Sequence, residues 1–436
     1  MEDPRAALTG TLALFAATVA ALFGIALAAD RDGSVAGRED DRPPAAELDP
    51  ERLLELSVAS TPRVARGVAD IRRLSFDDVP NPEISTTGRL ERLTERALAK
   101  PGVGRQLTLA ETELRLLGLL DEDQSLSEVA TDSSALAVAY YDPRRDELFM
   151  VGDAVPAGPQ LAEFVLAHEL THALEDQRYG LPEAGGISDD RVLAESALVE
   201  GTATTVMDRY AARYLDPFAL AAEAAALDAG AGGDLPRFAE SEVTFAYVEG
   251  ARFVEELLRF GSEWALVDYA LKERPPATTE QVLHPEKYVD DELPLPVAPP
   301  SAPGPGWRAL DIATLGEFGT REVLRAGEPG LGADLGADGW GGDRYRLFGR
   351  RGSDGACDSD CRSSYALGVA WRGDTPREAA ELAGQLDTYI EDGLEGEPAA
   401  LGTWRLDGGW AAKRVRADRV VLGLAPDAET ARALTR

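Results

Sequence analysis

The chain has 436 residues, 44% of them hydrophobic and 28% charged, enough apolar side chain for more than one core and too much for a disordered chain. Lys and Arg total 44 against 77 Asp and Glu, and the resulting net charge of -33 repels phosphate backbones, so no nucleic-acid partner is expected. Two cysteines, Cys357 and Cys361, exclude a disulfide-stapled miniprotein and allow at most one local bridge.

Residues 6–29 carry no charge, and as a helix they would measure about 36 Å, enough to cross a bilayer with some tilt. This predicts an N-terminal transmembrane anchor or signal segment over residues 1–29. The membrane is then a partner through that helix, in a single-pass cell-membrane protein whose bulk is extracytoplasmic. If the small residues Ala26-Leu27-Ala28 are a cleavage site, the protein is secreted instead. Residues 30–52 combine Gly, Asp, Arg and the Pro43-Pro44 pair without apolar periodicity and read as a flexible stalk.

From residue 53 the spacing becomes helical, opening a domain expected to run to residue 291. Amphipathic helices are expected at 90–98 and 107–120, the second opened by Thr108 and Glu111 as a capping box. Two strand-like runs, 135–141 and 147–151, flank Asp142-Pro143-Arg144-Arg145-Asp146, a hairpin signal.

The hairpin leads into an expected helix at 159–177 that contains His168-Glu169-Leu170-Thr171-His172. Residues four apart share a helix face, so both imidazoles can be aimed at one zinc ion, with Glu169 beside the metal as the base for its water. Leu161, Phe164, Val165, Leu166, Leu170 and Leu174 give this helix core-like surroundings. A catalytic zinc site takes three protein ligands, and Glu200 is the stronger candidate for the third. It lies in a helix-like run at 191–214 on a face with Leu193, Ala197, Thr204 and Met207, where an unpaired carboxylate would be costly to bury. Glu195 lies about 140° round that helix. His284, the one further histidine, adjoins Pro285 in a turn-like segment that suits packing or capping more than ligation or oxyanion binding.

Together, His168-Glu169-Leu170-Thr171-His172-Ala173 and Glu200-Gly201-Thr202-Ala203 resemble the gluzincins, zinc metallopeptidases whose third ligand is a glutamate. The first segment, with Asp176, reads as in the thermolysin-type enzymes, and the second is similar to the zinc aminopeptidases. The latter group has a Tyr-x-x-Gly segment whose tyrosine stabilises the oxyanion. Tyr247-Val248-Glu249-Gly250 is similar to it, so the resemblance implies Tyr247 as a transition-state donor. Over roughly residues 63–290 the chain also resembles an uncharacterised prokaryotic metallopeptidase-like family. By this resemblance the strand at 148–151 is an edge strand that holds an extended peptide. Two departures stand out. The aminopeptidases' Gly-x-Met-Glu-Asn anchor is missing, and Thr204 stands where the thermolysin-type enzymes have an Asp that orients a ligand histidine.

Six prolines between Pro294 and Pro305 mark a linker at 292–306. Beyond it, strands at 345–348 and 365–371, a helix at 376–390, a hairpin at 411–424 and a last helix from 427 predict a small α+β domain over 307–436. Cys357 and Cys361 are placed to close a small disulfide. The expected fold class is α+β: a mostly helical gluzincin-like domain with a small sheet, plus the small C-terminal α+β domain. The expected function is zinc-dependent hydrolysis of peptide or protein substrates by a membrane-anchored endopeptidase. Zn²⁺ is held by His168, His172 and Glu200, and Glu169 and Tyr247 are the catalytic residues. The alternatives are a catalytically silent, zinc-stabilised surface protein that binds a partner through its C-terminal domain, and zinc hydrolysis of a non-peptide substrate.

Overall fold

The structure, a computed structural model, describes residues 50–436 except 101, 153–157, 182–189, 229–234, 328, 358 and 401. It is a mixed α and β protein in two parts, the first mostly helical.

Helix α1 (Pro50–Arg72) precedes strand β1 (Pro82–Ser85), α2 (Thr87–Leu98), α3 (Val103–Leu116) and α4 (Leu126–Ala135). The hairpin β2 (Ala139–Asp142) and β3 (Glu147–Val151) then leads to α5 (Pro159–Tyr179), α6 (Asp190–Tyr214) and α7 (Pro217–Asp228). Helix α8 (Arg237–Thr244) continues through a π-helical turn, Phe245–Glu249, into α9 (Gly250–Phe260), followed by α10 (Ala265–Lys272), α11 (Thr279–Leu283) and α12 (Pro285–Val289). Local chemistry sets several starts: Thr86 and Ser125 cap α2 and α4 through their hydroxyls, and Pro159 takes the first turn of α5, where no N–H is needed. The expected Thr108 cap is wrong. Helix α3 begins at Val103, and the Thr108 hydroxyl donates to Gly104 O at 2.9 Å inside it.

Helix α5 is the axis of this half. Every residue from Leu161 to Glu175 is buried, because α1, α6 and β2 cover it on different sides. Its Phe164, Val165, Leu166 and Leu170 share one core with Val64 and Val68 of α1, Ala197 and Leu198 of α6, and Phe253 and Val254 of α9. The small sheet has the order β1-β3-β2, with β1 parallel and β2 antiparallel to β3. This corrects the expected edge strand. Residues 148–151 form the middle strand, with Leu148 paired to both Pro82 and Tyr141, so neither of its edges is open to an extended peptide. The cause is β1, four residues beginning at a proline and too short to show alternation.

The second part is built on a seven-stranded antiparallel sheet. In chain order it contains β4 (Trp307–Ala313), α13 (Gly316–Arg325), α14 (Leu331–Ala337), β5 (Trp340–Arg350), α15 (Cys361–Ser364), β6 (Tyr365–Gly373) and α16 (Pro376–Thr388). After β7 (Glu397–Pro398), β8 (Thr403–Leu406), β9 (Gly409–Arg416) and β10 (Arg419–Ala425) it ends in α17 (Ala428–Leu434). The sheet order is β4-β5-β6-β10-β9-β8-β7. Alternation along the strands sends Leu347, Val369, Trp371 and Leu422 to a core with α13, α14 and α16, and Phe348, Ala366 and Ala412 to α17 on the other face. Cys357 and Cys361 are joined by a disulfide.

The two parts interlock. Leu109 and Leu116 of α3 and the adjacent Leu117 belong to the core of the large sheet. The hydroxyl of Tyr345 donates to Glu113 Oε2 at 2.9 Å, and that of Tyr389 to Leu117 O at 2.8 Å. The proline-rich segment lies on the sheet: Leu295 N donates to Gly341 O at 2.6 Å and Arg346 Nη1 to Pro300 O at 3.1 Å.

Among the described residues no helix is long and apolar enough to cross a membrane, so none of them carries the expected membrane partner or single-pass localisation. The longest helices have the length without the apolarity. Helix α6 carries Asp190, Arg191, Glu195, Glu200, Asp208, Arg209 and Arg213, α1 carries Glu51, Arg52, Glu55, Arg63, Arg66, Asp70 and Arg72, and α5 carries Glu163, Glu169, Glu175, Asp176 and Arg178. The expected span at 6–29 and the stalk up to residue 49 lie outside the described residues.

Candidate metal centre

His168 and His172 stand one turn apart on α5, and Glu200 reaches them from α6. His172 Nε2 is 3.0 Å from His168 Nε2, and Glu200 Oε2 is 3.2 Å from His168 Nε2 and 3.4 Å from His172 Nε2. Two glycines set α6 against the start of α9. A Cβ on Gly201 would lie 2.1 Å from the carbonyl carbon of Gly250, and a Cβ on Gly250 would lie 2.2 Å from Ala197 O. Helix α6 and the start of α9 therefore touch backbone to backbone, a contact only glycine allows. The same contact fixes Tyr247, three residues before Gly250, inside the π-helical turn, a local underwinding often found at functional sites. Its ring lies over that of His168, with centroids 5.8 Å apart and planes 19° apart.

All five side chains are enclosed: His168 and Glu169 are 0% exposed, Tyr247 1%, Glu200 4% and His172 5%. The charge balance follows from that. Burial pushes the Glu169 carboxyl up to about 8, with His172 opposing and Glu200 adding to the shift. Against the cost of its burial, His172 and His168 hold Glu200 down to about 2. Burial lowers His168, whereas Glu200 draws His172 up to about 9 in spite of it. Burial and then the carboxylates of Glu200 and Glu169 raise Tyr247 well above its ordinary value, so it stays a hydroxyl.

Within the site several polar atoms lack partners. Both Nδ1 atoms, both Glu169 carboxylate oxygens and the Tyr247 hydroxyl are buried and make no hydrogen bond of normal geometry. The donor set fits a divalent cation. Ligand atoms held at about 2.0–2.1 Å by a tetrahedral zinc ion lie about 3.3–3.4 Å from one another. The observed triangle of 3.0, 3.2 and 3.4 Å is close to that. Two imidazole nitrogens facing one another beside a carboxylate are also poorly served by protons alone, since each neutral ring carries only one N–H.

Residues 308–435 match the model of a family described as a domain of unknown function, DUF8575. That region is the large sheet and its helices, so the match carries no statement about the His-Glu group on α5 and α6. No curated protein and no solved structure matches the chain.

Of the other residues singled out in the sequence, none joins the group. Asp176 accepts from Leu181 N at 3.0 Å and lies 2.9 Å from the Tyr141 hydroxyl, so it serves the end of α5 instead of a ligand histidine. The Thr204 hydroxyl is buried without a hydrogen bond and orients neither imidazole. Glu195 accepts from Arg191 Nε at 2.7 Å on the surface of α6. His284 meets Glu317 and Asp338 beside the DUF8575 region, a separate cluster.

Sequence reasoning missed the support behind α5. Glu175, 0% exposed, accepts from Arg72 Nε at 2.6 Å, while Arg72 Nη2 donates to Asp268 at 2.8 Å and the guanidinium lies over Trp264. Glu175 falls seven residues after His168 and three after His172, on the same face of the helix, which was a signal for a buried partnered carboxylate. The arginine at the end of α1 gave none.

Proposed function

We propose that the protein is a zinc-dependent peptidase of the gluzincin type, acting as an endopeptidase. The observation that supports this reading most is the convergence of His168, His172 and Glu200 beside two buried groups that make no hydrogen bond of normal geometry, the Glu169 carboxylate and the Tyr247 hydroxyl. His168 Nε2, His172 Nε2 and Glu200 Oε2 would hold the ion. Bound Zn²⁺ supplies a Lewis acid that polarises a carbonyl and lets a water lose its proton near neutral pH. Glu169 takes that proton on a carboxylate oxygen and returns it to the departing amine. Burial raises its proton affinity, and the charge of a bound cation would draw the carboxyl back to the ionised form that can accept the proton. Tyr247 donates its O–H to the substrate oxygen as negative charge develops there.

The experiment is metal analysis and peptide-library cleavage on the full chain, wild type against Glu169→Gln. Stoichiometric zinc in both, with cleavage reduced on the order of 10²–10⁴-fold in the variant, supports the reading. No cleavage by either protein contradicts it.

One observation favours a second reading. With all five residues 5% exposed or less, the site is as enclosed as a structural metal site, where no position is left to substrate. Under this reading the protein is a zinc-stabilised, catalytically silent partner-binding protein, and chelation unfolds it without any cleavage having been present.

A further inference from the structure

We infer that His284, Glu317 and Asp338 form a second divalent-cation site, for a transition metal such as Zn²⁺ or Mn²⁺, which clamps the helical half to the sheet half. His284 stands at the junction of α11 and α12, Glu317 in the first turn of α13 and Asp338 at the end of α14. The three thus come from both sides of the boundary. One ligand atom from each lies within 4.8 Å of the others: His284 Nε2 is 3.0 Å from Glu317 Oε1 and 3.4 Å from Asp338 Oδ1.

Protons alone serve this cluster poorly. A single imidazole N–H faces two carboxylates and can donate well to only one. Glu317 is 4% exposed, and its second oxygen, Oε2, is buried without any hydrogen bond. A buried carboxylate with an unused oxygen is costly, and a cation that takes both carboxylates removes that cost. Among the described residues no Lys or Arg forms an ion pair with Glu317 or Asp338; Arg321 acts on Glu317 only from a distance.

The neighbouring cluster shows the contrast. Glu280, Glu292 and Asp374 also converge, but the ammonium of Lys287 sits among them at 2.5, 3.1 and 2.7 Å, so that group already holds its cation. His284 has no such occupant. The Asp338 side chain is 59% exposed and that of His284 22%, which gives an ion and its remaining waters access from solvent. Glu286 lies 4.0 Å from His284 Nδ1, beyond hydrogen-bond distance, and adds negative charge on that side of the ring. One nitrogen and two carboxylates favour Zn²⁺ or Mn²⁺ over Ca²⁺, which takes oxygen ligands.

The test removes the first centre so that the two sites are read separately. In full-length H168A/H172A protein, titration with Zn²⁺ or Mn²⁺ should load one ion per chain and raise the unfolding temperature. Adding D338N or H284A should weaken that binding by at least about tenfold and abolish the thermal shift. Asp338 is exposed, so D338N should fold. If H168A/H172A does not fold, wild-type stoichiometry decides: two ions per chain falling to one in D338N supports the site. No ion in H168A/H172A, binding indifferent to H284A and D338N, or one ion per chain in both wild type and D338N would overturn it and leave an ordinary ion pair.

Discussion

Asp343 in the sheet half and Glu169 in the helical half are both buried carboxyls, yet their surroundings are opposite. Asp343 accepts from Leu315 N at 2.9 Å, Gly316 N at 2.9 Å and Trp340 Nε1 at 3.0 Å, so its oxygens tie β5 to the start of α13. Glu169 is more deeply enclosed, and neither of its oxygens makes a hydrogen bond of normal geometry, the Tyr141 backbone N–H lying nearby. Tyrosines repeat the contrast: Tyr389 donates to Leu117 O, whereas the Tyr247 hydroxyl, near Glu200, makes no hydrogen bond of normal geometry. Buried polar groups are ordinarily paired, and those left bare concentrate where a ligand is meant to complete them. By that rule Asp343 and Tyr389 are fastenings of the sheet half, whereas Glu169 and Tyr247, like Glu317 Oε2 at the boundary, are left for a ligand to complete under the proposals above.

The largest stability effect that bears on this contrast lies behind α5. Replacing Arg72 with Met leaves Glu175 charged and unpaired, and denaturant unfolding should show a loss of about 3–5 kcal/mol. A loss well under 1 kcal/mol would mean the network is incidental. The next test sets the two carboxyls against each other. Asp343→Ala orphans three donors and should cost about 3 kcal/mol, whereas Glu169→Gln should leave the unfolding temperature unchanged or raise it. Equal destabilisation by the two would break the comparison. Gly201→Ala drives a methyl into the Gly250 backbone and should cost about 1–3 kcal/mol, while metal affinity falls because Glu200 is pushed from the histidines. A variant with wild-type zinc affinity would show that the helix contact does not set the site.

The strongest helices were legible because their periodicity is intrinsic to the segment. The helix expected at 159–177 is observed as Pro159–Tyr179, and the one expected at 191–214 as Asp190–Tyr214. The hairpin before α5 and the strands at 365–371 and 411–424 were visible for the same reason, as was the Cys357–Cys361 pairing. Strands β1, β7 and β8 were not, since runs of two to four residues carry no readable alternation and exist only through their partners. The convergence of His168, His172 and Glu200 could be anticipated from spacing and apolar surroundings. The reason for Gly201 and Gly250 could not, because two glycines 49 residues apart reveal their mutual contact only in three dimensions. The seating of α3 in the sheet core was hidden likewise, since an amphipathic helix does not say which core it serves.

The most direct test of the central claim is zinc content and affinity in the full-length protein, comparing wild type with Glu200→Ala and His172→Ala under conditions where all three are folded. The account predicts that each substitution lowers affinity at this centre by at least about 100-fold, because a three-ligand site reduced to two no longer holds the ion. Zinc bound with wild-type affinity by both variants would contradict it, and His168, His172 and Glu200 would then be a buried polar cluster that serves only the fold.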